Sequence, residues 1–225
     1  MTKQTAYKIA IVAAFNEAAT IEEVVRKILR HVDEVIVIND CSSDATAERA
    51  ASAGALVLHQ GVNRGYDCAL QKGFECALRR QADIILTIDG DGQHNPDDIP
   101  RLIAPLVAGT VDLVISQRPK LNHFCERIFS LYSRLRYGIR DPLCGLKAYS
   151  RPVCEKVGHF DTLGSIGTQL MFEAVTHGFR IELVPIQIRE RLDTSRFYIK
   201  RFWGNLRILR ALIRVVVGVS KNKIK

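Results

Sequence analysis

Short apolar runs alternate along the chain with stretches in which apolar residues recur every three or four positions. The runs are near-continuous, as in strands that are buried on both faces of a sheet. The recurring positions are typical of amphipathic helices with one buried side. Strands are expected at residues 8–14, 34–38, 55–59, 83–88 and 112–116. Helices are expected at residues 18–30, after Asp44, from 63 to 80 and at 97–107.

Regular alternation of strands and helices is typical of repeated βαβ units. It predicts an α/β fold with a mostly parallel central sheet flanked by helices. The second half is less regular: a helix is expected at residues 121–137, a short strand at 146–149, a helix at 166–177 and a strand at 180–189. Pro185 lies in the last strand and favours an edge position or a bulge, because proline cannot donate a ladder hydrogen bond.

The C-terminal end predicts an amphipathic helix over residues 198–219. One stripe of this helix is apolar and another basic: Trp203, Leu206, Ile213 and Val217 on the first, Arg207, Arg210 and Arg214 on the second. Its apolar run is far shorter than the ~20 residues needed to span a bilayer. A helix in the membrane interface and a helix packed on its own domain both fit this pattern. The chain thus divides into a domain over residues 1–197 and a basic helix and tail over 198–225.

The net charge of +8 is concentrated at this end. From residue 178 onward, twelve Lys and Arg residues stand against three acidic ones, while the rest of the chain is close to neutral. Such an excess suits an anionic membrane surface, a phosphorylated substrate or nucleic acid. No recognised nucleic-acid-binding motif accompanies it, so we expect no nucleic-acid partner.

The cysteines bear on cofactors and on the compartment. The six cysteines form no Cys-x-x-Cys pair, and no histidine stands at zinc-finger spacing, so neither zinc nor a redox cofactor is expected. The first residues are polar, and no secretory leader is expected. We therefore expect reduced thiols in a cytoplasmic protein, with peripheral contact to the cytoplasmic face of a membrane as an option.

Two aspartates at the end of the fourth predicted strand are the main candidates for chemistry. Asp89 and Asp91 follow the apolar run 84–88 and are separated by one glycine. At an extended strand end both carboxylates point to the same side, where they repel each other unless a cation lies between them. Oxygen ligands of this kind suit Mg²⁺ or Mn²⁺ shared with a substrate's phosphates. A polar Asp-Gly turn without a metal is the alternative.

Polar residues follow other predicted strands as well: Asn16, Glu17, Asp40, Gln117 and Arg118. Ligands of parallel α/β sheets bind at the carboxyl ends of the strands, so this convergence favours a binding site over a simple turn. The first strand-to-helix turn contains no glycine. The dinucleotide fingerprint and the P-loop are therefore missing, which disfavours a hydride-transfer enzyme, a P-loop NTPase and a nucleotidyltransferase.

The order and spacing of several segments resemble those of family 2 glycosyltransferases, which have the GT-A (Rossmann-like) fold. Within this family, the resemblance is to the dolichyl-phosphate mannose synthase-like group. The resemblance covers residues 8–196. The segments that carry it are residues 12–17, 37–44, 63–65 and 89–93, together with Pro96, Asp141 and Gly145. It implies an enzyme that binds a nucleotide-diphosphate sugar together with Mg²⁺ or Mn²⁺.

The resemblance also implies roles for the matching donor-site positions. Ala13, Phe15 and Glu17 would line the nucleoside pocket, Asp40 would hold the nucleobase or ribose, and Arg118 would close the pocket. Asp89 would lie close to the ribose and the metal, Asp91 would bind the metal that bridges the diphosphate, and Gln93 would complete the metal shell. A metal and cations stabilise the negative charge that develops on the leaving diphosphate, which gives Asp91 its catalytic role.

On the acceptor side, Arg191, Ser195 and Arg196 resemble the late Arg…Ser-Lys element of the polyprenyl-phosphate group, and Arg191 is a catalytic candidate. Here arginine replaces lysine, the spacing is shorter and the usual glycine is missing, so a solvated charged loop is the alternative. Family members that attack a hydroxyl often carry a Glu-Asp pair as base, which the second half lacks. Asp141 is the nearest candidate base, and a structural turn residue is its alternative.

An ionised lipid phosphate needs no base, so the missing pair favours a polyprenyl phosphate acceptor. The predicted function is therefore metal-dependent transfer of a sugar from a nucleotide-diphosphate sugar to a membrane-associated acceptor. Transfer to a saccharide, lipid or protein hydroxyl is the alternative within the class, and an inactive nucleotide-binding module is the non-enzyme alternative. His94, Cys144 and Lys147 lie near these segments and are interpreted as packing or solvated groups rather than catalysts.

Overall fold

The computed structural model describes residues 6–121, 123–189 and 201–221. Within them, seven strands form one sheet and eight α-helices surround it. The strands are β1 (Lys8–Ala14), β2 (Glu34–Asn39), β3 (Leu56–His59), β4 (Ile84–Thr87), β5 (Leu113–Gln117), β6 (Lys147–Ser150) and β7 (Ile181–Pro185). The helices are α1 (Ile21–Ile28), α2 (Thr46–Ser52), α3 (Tyr66–Arg79), α4 (Ile99–Val107), α5 (Phe124–Tyr137), α6 (Arg151–Val157), α7 (Gln169–Thr176) and α8 (Arg201–Lys221).

Six of these seven strands run in the same direction. The spatial order is β3-β2-β1-β4-β6-β5-β7, and β6 is antiparallel to both of its neighbours, β4 and β5. The central strand β1 pairs in parallel with β2 and β4, so that Ile11 lies opposite Ile36 on one side and Thr87 on the other. The predicted α/β fold with a mostly parallel sheet is confirmed. β7 is an edge strand, as Pro185 predicted.

Helices cover both faces of the sheet, which is why the strands are apolar at successive positions. Successive side chains of β1 point to opposite faces. Ile11 packs in one apolar cluster with Phe74 of α3, and Val12 packs in the other cluster with α1. Full burial of one such side chain contributes about 1.5–3 kcal/mol, so the two layers hold the strand ends in place. The buried residues of α1 recur at helical spacing: Ile21, Val24, Val25 and Ile28.

The differences from the predictions that have a local physical cause are in α6, α7 and β7. Helix α6 was not predicted, because its seven residues hold less than two repeats of an apolar pattern. Helix α7 begins at Gln169 and not at residue 166, because Ile166 and Gly167 have φ of 59° and 65°, outside the helical region. The strand predicted over 180–189 ends at Pro185.

Residues 161–168 form a compact segment that we call the Asp161 turn. The carboxylate of Asp161 accepts hydrogen bonds from the backbone N–H groups of Gly164, Ser165 and Gly167, at 2.8–3.1 Å. These donors face inward because Gly164, Ile166 and Gly167 adopt positive φ. One buried carboxylate thus fixes the backbone that precedes α7.

Helix α8 packs onto the rest of the chain through one side. At its beginning, the backbone N–H of Cys125 in α5 donates to Oδ1 of Asn205 at 3.0 Å. Among the described residues, no helix is both long and apolar enough to cross a bilayer. The division into residues 1–197 and 198–225 stays a prediction. Five side chains of α8 are buried in the cluster that also contains Phe74: Ile208, Ala211, Leu212, Val215 and Val219.

Candidate active site

A cavity of about 250 Å³ lies at the carboxyl ends of β1 and β4. Six residues predicted to bind the donor or the metal line it: Ala13, Glu17, Asp89, Asp91, Gln93 and Arg118. Other lining residues were not predicted to belong to the site: Tyr66 of α3, Ile166 of the Asp161 turn, and Arg207 and Ile208 of α8. The parallel sheet brings these residues together from distant parts of the sequence.

Asp89 is held by protein groups on three sides. The hydroxyl of Tyr66 donates to its Oδ1 at 3.0 Å, and Nδ1 of His94 lies 3.5 Å from its Oδ2. The backbone of Gly145 lies against the same carboxylate, since a Cβ built on Gly145 would stand 2.3 Å from Oδ2. Burial, followed by the charge of Asp89, raises the pKa of Tyr66 well above its usual range, so the hydroxyl stays a donor. The orientation of Asp89 is thereby fixed before any ligand binds.

A buried polar cluster lies behind the carboxylate pair. Nε2 of His94 lies 3.5 Å from Sγ of Cys144, which in turn lies 2.8 Å from Oγ of Ser116. Burial lowers the pKa of His94, but Cys144 and the two aspartates more than offset this, and the pKa rises to about 9. The interpretation of His94 and Cys144 as packing groups agrees with their burial.

Lys147 is a second buried cation behind the site. It is 2% exposed, and its Nζ donates to the backbone carbonyl of Gly167 at 3.1 Å. Burial lowers the pKa of Lys147, while Cys144, Asp141 and Asp89 act in the opposite direction. The bond ties β6 to the Asp161 turn and so holds Ile166 at the cavity wall.

Arg118 and Asp141 form a buried ion pair. Nε and Nη2 of Arg118 donate to Oδ2 and Oδ1 of Asp141 at 2.7 and 2.9 Å, and the backbone N–H of Arg118 donates to Oδ2 at 3.0 Å. Glu126 lies 3.6 Å from the same guanidinium. Burial lowers the pKa of Arg118, and the bonds to Asp141 outweigh this and raise it. Asp141 is fully buried, does not line the cavity and holds Arg118 in position. Its role as a base stays a prediction.

Asp40 and Phe15 do not line this cavity. Asp40 is 4% exposed and accepts hydrogen bonds from the backbone N–H groups of Arg64 and Gly65, at 2.7 and 2.8 Å. Its carboxylate thus shapes the turn that leads into α3 and places Tyr66 beside Asp89. The nucleoside-binding roles of Asp40 and Phe15 stay predictions.

The donor set at the strand ends fits a hard divalent cation that is shared with a ligand. The side chains of Asp89, Asp91 and Gln93 can each offer an oxygen ligand. Mg²⁺ and Mn²⁺ prefer oxygen ligands. In the described parts of the chain, no three His, Cys, Asp or Glu residues are grouped as a metal site would need. Protein groups alone would therefore leave coordination positions for the oxygens of a bound diphosphate.

Three predicted acceptor residues, Arg191, Ser195 and Arg196, lie outside the described residues. Sequence reasoning did not assign Tyr66 and Arg207 to the site. Tyr66 directly follows segment 63–65, which carries part of the family resemblance. This position, at the start of a predicted helix, could have indicated that Tyr66 belongs to the site. Arg207 carried no such signal, because its place depends on how α8 packs.

A mostly parallel sheet with paired carboxylates in a cavity at its strand ends defines a GT-A glycosyltransferase. The chain belongs to glycosyl transferase family 2, whose sequence profile matches residues 9–162. That range runs from β1 to the start of the Asp161 turn and contains all six predicted residues that line the cavity. The predicted family and enzyme class are confirmed.

Relatives with assigned activities match most of the chain. A polyprenol monophosphomannose synthase of Mycolicibacterium smegmatis is 28% identical over 84% of this chain and 80% of its own length. An undecaprenyl-phosphate mannosyltransferase of Micrococcus luteus is 29% identical over 81% of this chain and 84% of its own. Glucosyl-3-phosphoglycerate synthase from Mycobacterium tuberculosis, crystallised with Mn²⁺ and UDP-glucose, superposes with a TM-score of 0.76 at 26% identity, over 94% of this chain and 80% of that one.

Proposed function

We propose that this glycosyltransferase moves a sugar from a nucleotide-diphosphate sugar to the phosphate of a polyprenyl phosphate. One observation carries the donor half of the proposal: Asp89, Asp91 and Gln93 line one cavity with Ala13 and Glu17 at the strand ends. The relatives that act on polyprenol and undecaprenyl phosphate support the acceptor half.

The reaction forms one bond and breaks another at C1 of the sugar. An oxygen of the acceptor phosphate attacks C1, and the bond from C1 to the diphosphate oxygen breaks, with its electron pair leaving on the nucleoside diphosphate. A phosphate is already ionised at neutral pH, so no proton has to be removed. This fits a site in which Asp141, the candidate base, is bound to Arg118. Transfer to a hydroxyl would need a base in addition.

The paired carboxylates would hold the divalent cation. We assign Asp91 and Gln93 to direct coordination, and Asp89, fixed by Tyr66, to the ribose side of the cation. When bound, Mg²⁺ or Mn²⁺ supplies positive charge where the leaving diphosphate becomes more negative. Arg118 closes the same cavity and adds a guanidinium whose orientation Asp141 fixes.

The acceptor lies in a membrane, and two packed helices present a surface that suits one. Helix α5 exposes an apolar stripe at spacings of four, three and four residues: Phe124, Ile128, Leu131 and Leu135. Helix α8 exposes four apolar residues within an arc of about 100°: Leu209, Ile213, Val216 and Val217. Arg127, Arg134 and Arg210 are exposed on the same helices. We infer that this α5–α8 surface rests on an anionic membrane, on the cytoplasmic side where the donor is found.

Calorimetry with UDP and GDP, each with and without Mn²⁺, tests the donor half. We expect metal-dependent binding of one nucleotide, weakened about 10- to 100-fold in Asp91→Asn because a direct ligand is lost. Asp97→Asn is the matched control, since Asp97 lies outside the cavity and is exposed. Equal binding by wild type and Asp91→Asn would contradict the assigned metal site.

A transfer assay tests the acceptor half. Wild-type protein is given a panel of UDP- and GDP-sugars with either a polyprenyl phosphate or the matching polyprenol. We expect product from the phosphate only. Transfer to the polyprenol alone would replace the proposal by the hydroxyl-acceptor alternative, and nucleotide binding without any transfer would favour an inactive module.

A further inference from the structure

We propose that helix α8 forms the acceptor wall of the active site and that Arg207 binds the phosphate of the acceptor. This deepens the proposed function and rests on it. Helix α8 lies outside residues 9–162, the part of the chain that the family profile matches.

Arg207 and Ile208 line the same cavity as Asp89 and Asp91. Ile208 is 1% exposed and belongs to the core cluster, so the backbone of α8 is anchored at this point. Arg207 is adjacent in sequence, and its side chain is exposed to solvent. An anchored backbone with a solvent-accessible guanidinium is suited to receive a ligand that enters from outside.

Two guanidinium groups line the cavity, and they are held differently. Arg118 is partly buried and makes a two-pronged pair with Asp141. Arg207 is exposed and lies close enough to Asp67 to affect its titration: burial raises the pKa of Asp67, and the charge of Arg207 partly offsets this. Arg118 is thus fixed on the donor side, while Arg207 lies on the side that opens to solvent. Arginine binds phosphate through paired N–H donors, which suits a terminal phosphate group.

The cavities around Arg207 show where an acceptor would enter. A more open cavity of about 960 Å³ shares Tyr66 and Arg207 with the first and lies between the start of α3, the Asp161 turn and α8. A third, of about 370 Å³, also contains Arg207 and is lined by Trp203 and Leu206. Arg207 is therefore the point common to all three.

The Asp161 turn is tied to α8 beside this point. Nη1 of Arg214 donates to the backbone carbonyl of Gly164 at 3.2 Å. Trp203 is 57% exposed, and with Leu206 it offers apolar surface next to the arginine. A phosphate at Arg207 with an isoprenyl chain along Trp203 would point its nucleophilic oxygen toward the carboxylate pair.

The chemistry recognised is that of a phosphate monoester dianion, which a lipid headgroup and a small soluble phosphate share. A steady-state assay with the full chain and the sugar nucleotide that wild type uses separates these sources. One arm uses a short-chain isoprenyl phosphate that stays in solution, so membrane binding does not enter. The other arm uses methyl phosphate, a soluble phosphate monoester that has no hydroxyl group to accept the sugar. Transfer to the first alone assigns the site to isoprenyl phosphates, and transfer to both assigns it to phosphate monoesters in general.

The variants are Arg207→Gln, Arg207→Lys and, as control, Arg79→Gln at the end of α3. Arg79 is exposed and lines none of the three cavities that contain Arg207. We expect Arg207→Gln to raise the acceptor KM about 10- to 100-fold, the loss typical of a charge-assisted hydrogen bond, with the donor Kd measured by calorimetry unchanged. The acceptor KM of Arg207→Lys should lie between those of wild type and Arg207→Gln, because lysine keeps the charge but not the paired N–H donors. Arg79→Gln should match wild type in both constants.

Two results would overturn the role of Arg207 while leaving the proposed function in place. One is an unchanged acceptor KM in Arg207→Gln. The other is a donor Kd that rises by the same factor as the acceptor KM, which would move Arg207 to the donor diphosphate. Failure of wild type to transfer sugar to any phosphate would instead overturn the proposed function, and this inference with it. Thermal unfolding of each variant shows that the comparison is made between folded proteins.

Discussion

The backbone of Gly145 lies directly against the carboxylate of Asp89. A Cβ at residue 145 would stand 2.3 Å from Oδ2 and 2.6 Å from Oδ1 of Asp89. Real Cβ atoms do not approach oxygen so closely, so any side chain at 145 has to displace the carboxylate. Glycine is therefore required at residue 145 because the carboxylate of Asp89 lies against its backbone, and not because of a turn conformation.

Gly145→Ala should weaken metal-dependent nucleotide binding roughly tenfold or more, because a displaced Asp89 loses its place beside Asp91. Calorimetry with the nucleotide that wild type binds, in the presence of Mn²⁺, measures this. Gly61→Ala is the matched control, since a Cβ on Gly61 meets nothing within 4 Å. Unchanged nucleotide binding by Gly145→Ala would mean that Asp89 can be displaced without loss of nucleotide affinity.

Asp141→Asn should destabilise the protein by about 3 kcal/mol, because it leaves the buried guanidinium of Arg118 without its carboxylate partner. Replacing both residues, as in Arg118→Met with Asp141→Leu, should be less harmful than the sum of the single changes. Urea unfolding measures both. An Asp141→Asn protein that is as stable as wild type would contradict the role of this ion pair in the fold.

Asp67→Asn should stabilise the protein above pH 6 and have little effect near pH 4. Burial, then the neighbouring Asp161, raises the pKa of Asp67 from 3.8 to about 6 in the folded state. The folded state therefore binds the proton more tightly than the unfolded state, and the associated stability is lost as the pH rises from about 4 through 6. Asparagine resembles the protonated acid and avoids this loss, which is on the order of 3 kcal/mol.

Urea unfolding at about pH 4 and about pH 8 measures the effect, since the difference between wild type and variant should appear only at the higher pH. Glu75→Gln on the same helix is the control, because Glu75 is exposed. A stabilisation of Asp67→Asn that is equal at both pH values would rule out titration as its cause.

Leu131→Gln with Leu135→Gln should reduce binding to vesicles that contain anionic lipid, because two exposed apolar side chains of the α5–α8 surface are lost. They are 59% and 79% exposed, so the fold should be unaffected. Vesicle flotation measures binding, and raised salt should weaken it as the arginine contribution is screened. Val107→Gln removes an exposed apolar residue of α4 and should bind as wild type does. If wild type, the double leucine variant and Val107→Gln bind vesicles equally, the exposed leucines of α5 do not contribute to membrane binding.

The parallel part of the fold was predictable because its signals are local. β1 was predicted with its observed bounds, since a two-sided buried strand is apolar throughout. The direction of β6 was not predictable, because four residues carry no information on which strands they join. The start of α7 was missed because Ile166 is a β-branched residue with positive φ, held there by bonds to Asp161 that sequence alone does not reveal.

The candidate site was predictable to the extent that it follows strand ends. Asp89, Asp91, Gln93 and Arg118 each lie just beyond a strand, so the topology itself brought them together. The pairing of Arg118 with Asp141 was not foreseen, although each residue was named separately, because ion pairs depend on loop paths. Tyr66 belongs to the site because its hydroxyl donates to Asp89. A hydrogen bond between two distant parts of the sequence cannot be predicted from the spacing of apolar residues.

The insertion of β6 between β4 and β5 also sets the order in which the site is completed during synthesis. Lys147 pairs with Thr87 on one side and Ile115 on the other, and Oγ1 of Thr87 donates to the carbonyl of Gly145 at 2.7 Å. A nascent chain that has emerged only through β5 holds both aspartates but lacks the strand behind them. Such non-local pairing forms slowly. The cavity therefore gains its last supporting strand only after about two thirds of the chain has been made, and α8 adds Arg207 and Ile208 to its wall later still.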